Sequence, residues 1–264
     1  MALTDLPTPP RRGAISPNGV ILIAVLAGLA LALTRLPDPP GALTFLFVLA
    51  GWVLSVAIHE FGHAVMAYRA GDHTVAEKGY LSLDPLKYAD LGTSLILPLI
   101  ALALGGIGFP GGAVYLREDL MRDRRGRALA SLAGPLGTLL VLVALAAGLA
   151  LGRAIGGPDN ALVHAVAFLA FLQATALILN LLPIPGLDGF GVLAPYLPEA
   201  ARAKARRLGG LAFLALFGLL FFVPPAAGLF FAGAAGLTEA FGVPGPAIAA
   251  GWDSFRFWTA LPRG

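Results

Sequence analysis

Residues 42–67 read ALTFLFVLAGWVLSVAIHEFGHAVMA, and the fold turns on this stretch. Its first seventeen positions, 42–58, hold no charged side chain. About 20 apolar residues in a helix cross the hydrocarbon of a bilayer, so the run is long enough to span with some tilt. His59, Glu60 and His63 then fall within five residues near its end. An ionisable group at membrane depth costs about 2.5–3.5 kcal/mol even on the lenient insertion scale, so this cluster needs a compensating role.

The rest of the chain agrees with a membrane reading. Of 264 residues, 58% are hydrophobic and only 12% charged, and the mean hydropathy is +0.82. A soluble domain carries about a quarter charged residues, so this apolar excess is too large for one soluble core. There is no cysteine, which removes disulfides and thiolate metal sites and leaves His and carboxylate as metal ligands. The net charge of +3 comes from basic clusters between apolar runs, the pattern of cytoplasmic loops rather than of a nucleic-acid-binding face.

Working outward, residues 1–19 are polar and proline-rich and are expected as a disordered cytoplasmic tail. Residues 20–240 make the membrane-embedded domain. Val20 to Leu33 competes with a cleaved signal peptide, but Leu-Thr-Arg-Leu-Pro after it is a poor small-residue cleavage site, so it is read as a retained helix. Thr74-Val75-Ala76 and Gly79-Tyr80-Leu81-Ser82-Leu83 are candidate short strands. Gly92 to Phe109 is apolar but broken by Pro98, Gly105, Gly106 and Gly108. Arg117 to Arg127 holds five arginines. Ala128 to Leu151 and Ala161 to Leu182 are clean spans. Arg202, Lys204, Arg206 and Arg207 form a second basic cluster, and Leu208 to Val223 and Ala226 to Ala240 are the last apolar runs. Residues 241–264, with Trp252, Phe255, Phe257 and Trp258 beside Arg256, are expected as an interfacial segment.

The expected fold is therefore an all-α polytopic membrane protein: about six transmembrane helices, a re-entrant segment, and a candidate small β element after the second helix. With both basic clusters and the N-terminus in the cytoplasm, parity closes if Gly92 to Phe109 enters and leaves by one face. His59, His63 and Asp188 then meet toward the cytoplasmic side.

His59 and His63 are four apart, so on a helix both imidazoles share a face, and Glu60 stands one step round it. This is H-E-x-x-H: two metal ligands and a general base from two turns. A third ligand should arrive at the same depth from another segment. Asn180, Pro183, Pro185, Leu187, Asp188 and Gly189 form N-x-x-P-x-P-x-L-D-G at the end of a span. There the prolines stop the helix and the glycine lets the backbone turn, aiming Asp188 inward.

Together, His59-Glu60-Phe61-Gly62-His63 and Asn180 to Gly189 resemble the site-2 protease family of intramembrane zinc metalloproteases, over about residues 45 to 195. The resemblance implies one Zn²⁺ per chain held by His59, His63 and Asp188, with Glu60 as general base and Asn180 near the metal. It implies a transmembrane protein as substrate, the lipid bilayer as surroundings, and a bacterial-type inner membrane. Ala133-Gly134-Pro135-Leu136 also resembles a family segment, which usually carries Asn where this chain has Thr138; that departure puts a polar role for the span in doubt.

Two rival readings are a catalytically silent zinc-binding scaffold, which predicts a damaged base although Glu60 is intact, and a metal or proton transporter, which predicts repeated halves that are not seen. His73 is read as a loop residue, His164 as a hydrogen-bonded bundle residue, Asp84 and Asp90 as caps or turns, and the Phe and Leu stripe at 213 to 222 as lipid-facing.

Overall fold

The computed structural model describes residues 15–88 and 114–259, and among them all regular structure is helical. The helices are α1 (Pro17–Arg35), α2 (Gly41–Ala70), the single turn α3 (Thr74–Glu77), α4 (Arg124–Ala154), α5 (Ala161–Leu181), α6 (Asp188–Leu193), α7 (Glu199–Phe222), α8 (Pro224–Ala240) and α9 (Gly245–Phe255).

The starts of three long helices are set by local chemistry. Ser16, Asp123 and Asn160 each accept a backbone N–H from the first turn of α1, α4 and α5, satisfying a donor that the helix itself leaves free. Of the six runs expected to span, five form helices long and apolar enough to cross a membrane: α1, α2, α4, α5 and α7. The sixth becomes α8, which has 17 residues and falls short of the usual span. Pro224 ends α7 and starts α8, because proline cannot continue the ladder but fits a first turn. The expected re-entrant segment, Gly92 to Phe109, lies outside the described residues. So does most of the expected N-terminal tail, whose last residues, Pro17 to Gly19, form the first turn of α1.

The candidate strands at 74–76 and 79–83 are not strands. Thr74 to Glu77 is a helical turn and 78–82 are turns and a bend. Asp72 favours the turn: its Oδ1 accepts both the backbone N–H and the hydroxyl of Thr74, a local side-chain-to-backbone bond that competes with the extended preference of Thr and Val.

Helices α2, α4 and α5 form the centre. Phe47, Val48 and Trp52 of α2 pack on Phe168, Leu169 and Leu172 of α5. On the other side Leu142, Ala146 and Leu149 of α4 meet Ala167, Ala170 and Ala174. α2 and α4 share the most extensive contact in the molecule. It is lined by Gly62, Gly134 and Gly137, each facing the partner's backbone or, for Gly134, the two imidazoles; small residues permit such close approach in a membrane.

Phe255 is wholly buried and belongs to the central cluster with Phe168. α9 docks across the start of α5, so that side chain points into the bundle. Trp252 does carry Arg256 over its ring at 4.2 Å. Lower down, Leu216 and Leu220 of α7 pack against Leu179 and Leu187, so one face of the expected lipid-facing stripe covers the end of α5.

Candidate metal centre

α2 places His59, Glu60 and His63 at its buried face, with exposures of 5%, 3% and 8%. The two imidazoles stand edge to face, with their Nε2 atoms 3.1 Å apart. α5 stops at Leu181, the chain turns through Pro183, Pro185 and Gly186, and α6 opens on Asp188. Gly186 has φ +102°, a conformation costly for any residue with a Cβ. The turn delivers Asp188 Oδ2 to 3.2 Å from His59 Nε2 and Oδ1 to 3.3 Å from His63 Nε2.

The outer ring nitrogens fix both imidazoles. His63 Nδ1 lies 2.7 Å from the carbonyl of Ala130, which can only accept, so the ring proton is on Nδ1 and the Nε2 lone pair faces inward. His59 Nδ1 lies 2.9 Å from Thr138 Oγ1, and the same tautomer makes that hydroxyl the acceptor. Three acceptors from two separate segments thus converge, and their ligand atoms lie within 4.8 Å of one another. In a tetrahedral zinc site with bonds of about 2.0–2.1 Å, neighbouring ligand atoms are about 3.3 Å apart. The separations of 3.1–3.3 Å are of that size, with Asp188 facing each imidazole through a different oxygen, and the outward hydrogen bonds are those expected of metal-ligating histidines. Gly134 completes the fit: a Cβ there would strike both His59 and His63.

Glu60 faces the same cavity, about 310 Å³ in volume, along with Asn180, Asp188 and Phe213 of α7. Glu60 Oε2 accepts the backbone N–H of Val114 at 3.0 Å. The segment 114–117 is held beside the site at two further points. Lys78 Nζ donates to Tyr115 O at 2.9 Å, and the N–H of Arg117 donates to Asp72 Oδ2 at 2.8 Å.

All five residues singled out from sequence, His59, Glu60, His63, Asn180 and Asp188, line this one cavity. Sequence reasoning undervalued Thr138, which holds His59. The signal available was its place on α4 in the segment that carries Gly134, where a hydroxyl can replace an amide as hydrogen-bond partner. Of the remaining polar residues, Asp84 caps a 3₁₀ turn and accepts from Asn18, His164 pairs with Asp159, and His73 stacks edge-on against Tyr68. Asp90 lies outside the described residues.

Comparison with known proteins reaches the same chemistry. The chain is 47% identical over 220 residues, 82% of either chain, to a protein of Mycolicibacterium smegmatis named "Putative zinc metalloprotease Rip2". It is 49% identical over 218 residues to the protein of that name in Mycobacterium tuberculosis, covering 81% of this chain and 82% of the relative. It is 32% identical over 174 residues to "Putative zinc metalloprotease YwhC" of Bacillus subtilis, covering 62% of this chain and 77% of the relative. No protein-family model and no solved structure matches the chain.

Proposed function

The chain belongs to the site-2 protease family and is a zinc metalloprotease of the membrane, and we propose that it hydrolyses peptide bonds within the transmembrane segments of protein substrates. His59, His63 and Asp188 hold the zinc, Glu60 is the general base, and Asn180 steadies the substrate carbonyl. The observation that carries this reading is the convergence of two imidazoles and a carboxylate beside a buried glutamate, inside helices long enough to cross a bilayer.

Three protein ligands leave one position open, the pattern of a catalytic site. Zinc, when bound, supplies Lewis acidity toward the scissile carbonyl and makes water more acidic. Glu60 takes the proton from water as its oxygen adds to the carbonyl carbon. It returns that proton to the leaving nitrogen as the C–N bond breaks. Thr138 and Ala130 keep the imidazoles turned so that neither Nδ1 competes for the metal. A transmembrane substrate has its backbone bonded within its own helix, so it must unwind locally to present a carbonyl. The candidate strands at 74–76 and 79–83 are a helical turn and a run of turns, so they offer such a substrate no strand edge.

The site faces the cytoplasmic side of a bacterial inner membrane. Support comes from charge: Arg124, Arg125 and Arg127 open α4 within two turns of Ala130, the partner of His63. Arg202, Lys204, Arg206 and Arg207 lie on α7 shortly after Asp188, and basic residues mark the cytoplasmic ends of spans.

The test is cleavage of single-span membrane proteins and of soluble peptides, by wild type and Glu60→Gln, with zinc measured in both. Zinc near one per chain in each, and cleavage of the membrane substrates by wild type alone, is the expected result. Cleavage of soluble peptides in preference would overturn the intramembrane reading, and zinc without cleavage by either protein would favour a silent scaffold.

A further inference from the structure

Behind His59, on the side away from the substrate cavity, lies a second and much smaller space. Ser55 and His59 of α2, Thr138 of α4, and Gln173, Ala176 and Asn180 of α5 line it, and its volume is about 10 Å³, enough for one water molecule. Gln173 is 1% exposed. Its Nε2 is fully enclosed and has no hydrogen-bond partner among the described residues. An enclosed amide in the middle of a membrane bundle is costly unless satisfied, and no packing argument favours glutamine there over leucine or methionine.

We propose that Gln173 is a positioning residue for His59, acting through one water molecule seated in this space. The inference rests on the reading of His59 as a zinc ligand. The hydrogen bonds can be counted in full. With His59 Nε2 turned to the metal, Nδ1 carries the proton and donates to Thr138 Oγ1, 2.9 Å away, which leaves the Thr138 hydroxyl proton free to be donated in turn. The Ser55 hydroxyl proton is spent on the carbonyl of Gly51, so Ser55 Oγ can accept. A water in the space accepts from Gln173 Nε2 and from Thr138, and donates to Ser55 Oγ and to the Asn180 side-chain oxygen. Four bonds is the full capacity of a water and lies within the usual range for buried ones. The chain of contacts Gln173, water, Thr138, His59 fixes the direction of the threonine hydroxyl and, through it, the plane of the imidazole. Asn180 is two turns from Gln173 on the same face of α5, so one water ties the back of the metal centre to the residue at its front.

The experiment compares zinc dissociation constants, the visible absorption of the cobalt-substituted protein and the thermal midpoint of the metal-free protein for four single variants and one double variant. Gln173→Met keeps the volume and removes the donor. Ala176→Val fills the space with methyl groups and leaves Gln173 in place. Gln173→Glu keeps the length and, in the protonated form that burial favours, an O–H donor in place of the N–H. The fourth is Thr138→Val, alone and combined with Gln173→Met. The expected result is zinc affinity lower by roughly tenfold and a shifted cobalt spectrum for both Gln173→Met and Ala176→Val. Gln173→Glu stays within about threefold of wild type, by the same argument. The double variant loses little more than Thr138→Val alone, because both act through one chain of contacts. Unchanged affinity and spectrum in Gln173→Met, losses that multiply in the double variant, or a normal Ala176→Val beside a weakened Gln173→Met would each overturn the proposal. If Gln173→Met does not fold, Ala176→Val carries the test. His59→Ala is the separate control: zinc retained there would overturn the ligand assignment itself.

Discussion

The carboxylate of Glu60 is tied to the amide of Val114 by a hydrogen bond of 3.0 Å, so the residue proposed as general base is also an anchor for the chain beside the site. Glutamine keeps an oxygen that can accept this N–H and cannot take a proton from water. Glu60→Gln is therefore expected to keep zinc and thermal stability while cleavage falls by about 10²–10⁴-fold. Glu60→Ala loses the anchor as well, and its melting temperature should fall below that of Glu60→Gln.

Asp72 is fully buried and accepts three hydrogen bonds, two from Thr74 and one from Arg117. Replacement by alanine leaves these donors without their partner, at a cost of about 2–4 kcal/mol in stability. Because the same carboxylate fixes the segment beside Glu60, cleavage should weaken too. Denaturant unfolding in a mild detergent, paired with an activity assay, checks both.

Gly134 has no room for a methyl group, since it would strike the two imidazoles, whereas Gly148 of the same helix has nothing within 4 Å. Gly134→Ala should abolish stoichiometric zinc, and Gly148→Ala should leave it unchanged and slightly favour the helix. Zinc content by mass spectrometry distinguishes the two, and equal content in both would show that α4 can shift away from α2.

The hydroxyl of Thr138 is the hydrogen-bond partner of His59. Thr138→Ser, which keeps it, should bind zinc as wild type does. Thr138→Val, which keeps the shape, should lose on the order of tenfold in affinity. A chelator competition assay reads the difference.

Removing zinc should abolish cleavage and lower the unfolding free energy, and adding it back should restore both. With free zinc at about a hundred times its dissociation constant, linkage gives about 2.7 kcal/mol of stabilisation. A thermal midpoint unaffected by zinc would mean that the ion binds folded and unfolded chains alike.

The residues of the candidate metal site could be singled out in the sequence because the pattern is short and local. Two histidines four apart must share a helix face, and two prolines before Asp188 must end a helix. What they could not carry was decided by contacts between distant segments. The grip of Thr138 on His59 depends on how α4 crosses α2, and the bond from Val114 to Glu60 on where a later loop returns. At 74–83 the β-branched composition pointed to strands, but one acidic side chain two residues upstream favours a helical turn. Phe255 stands beside Trp252 and Arg256 in the sequence, and its side of α9 is the one that docks on Phe168. α8 fell just short of a span because Pro224 sets where it can begin.

The turn at Gly186 has a consequence for biosynthesis. His59 and His63 enter the membrane early, but Asp188 exists only after α4 and α5 have been made and the chain has bent back. A nascent chain still emerging from the ribosome therefore carries two imidazoles and no third ligand. With Asp188 as the proposed third ligand, the side chains that would hold the metal come together only once most of the bundle has been made.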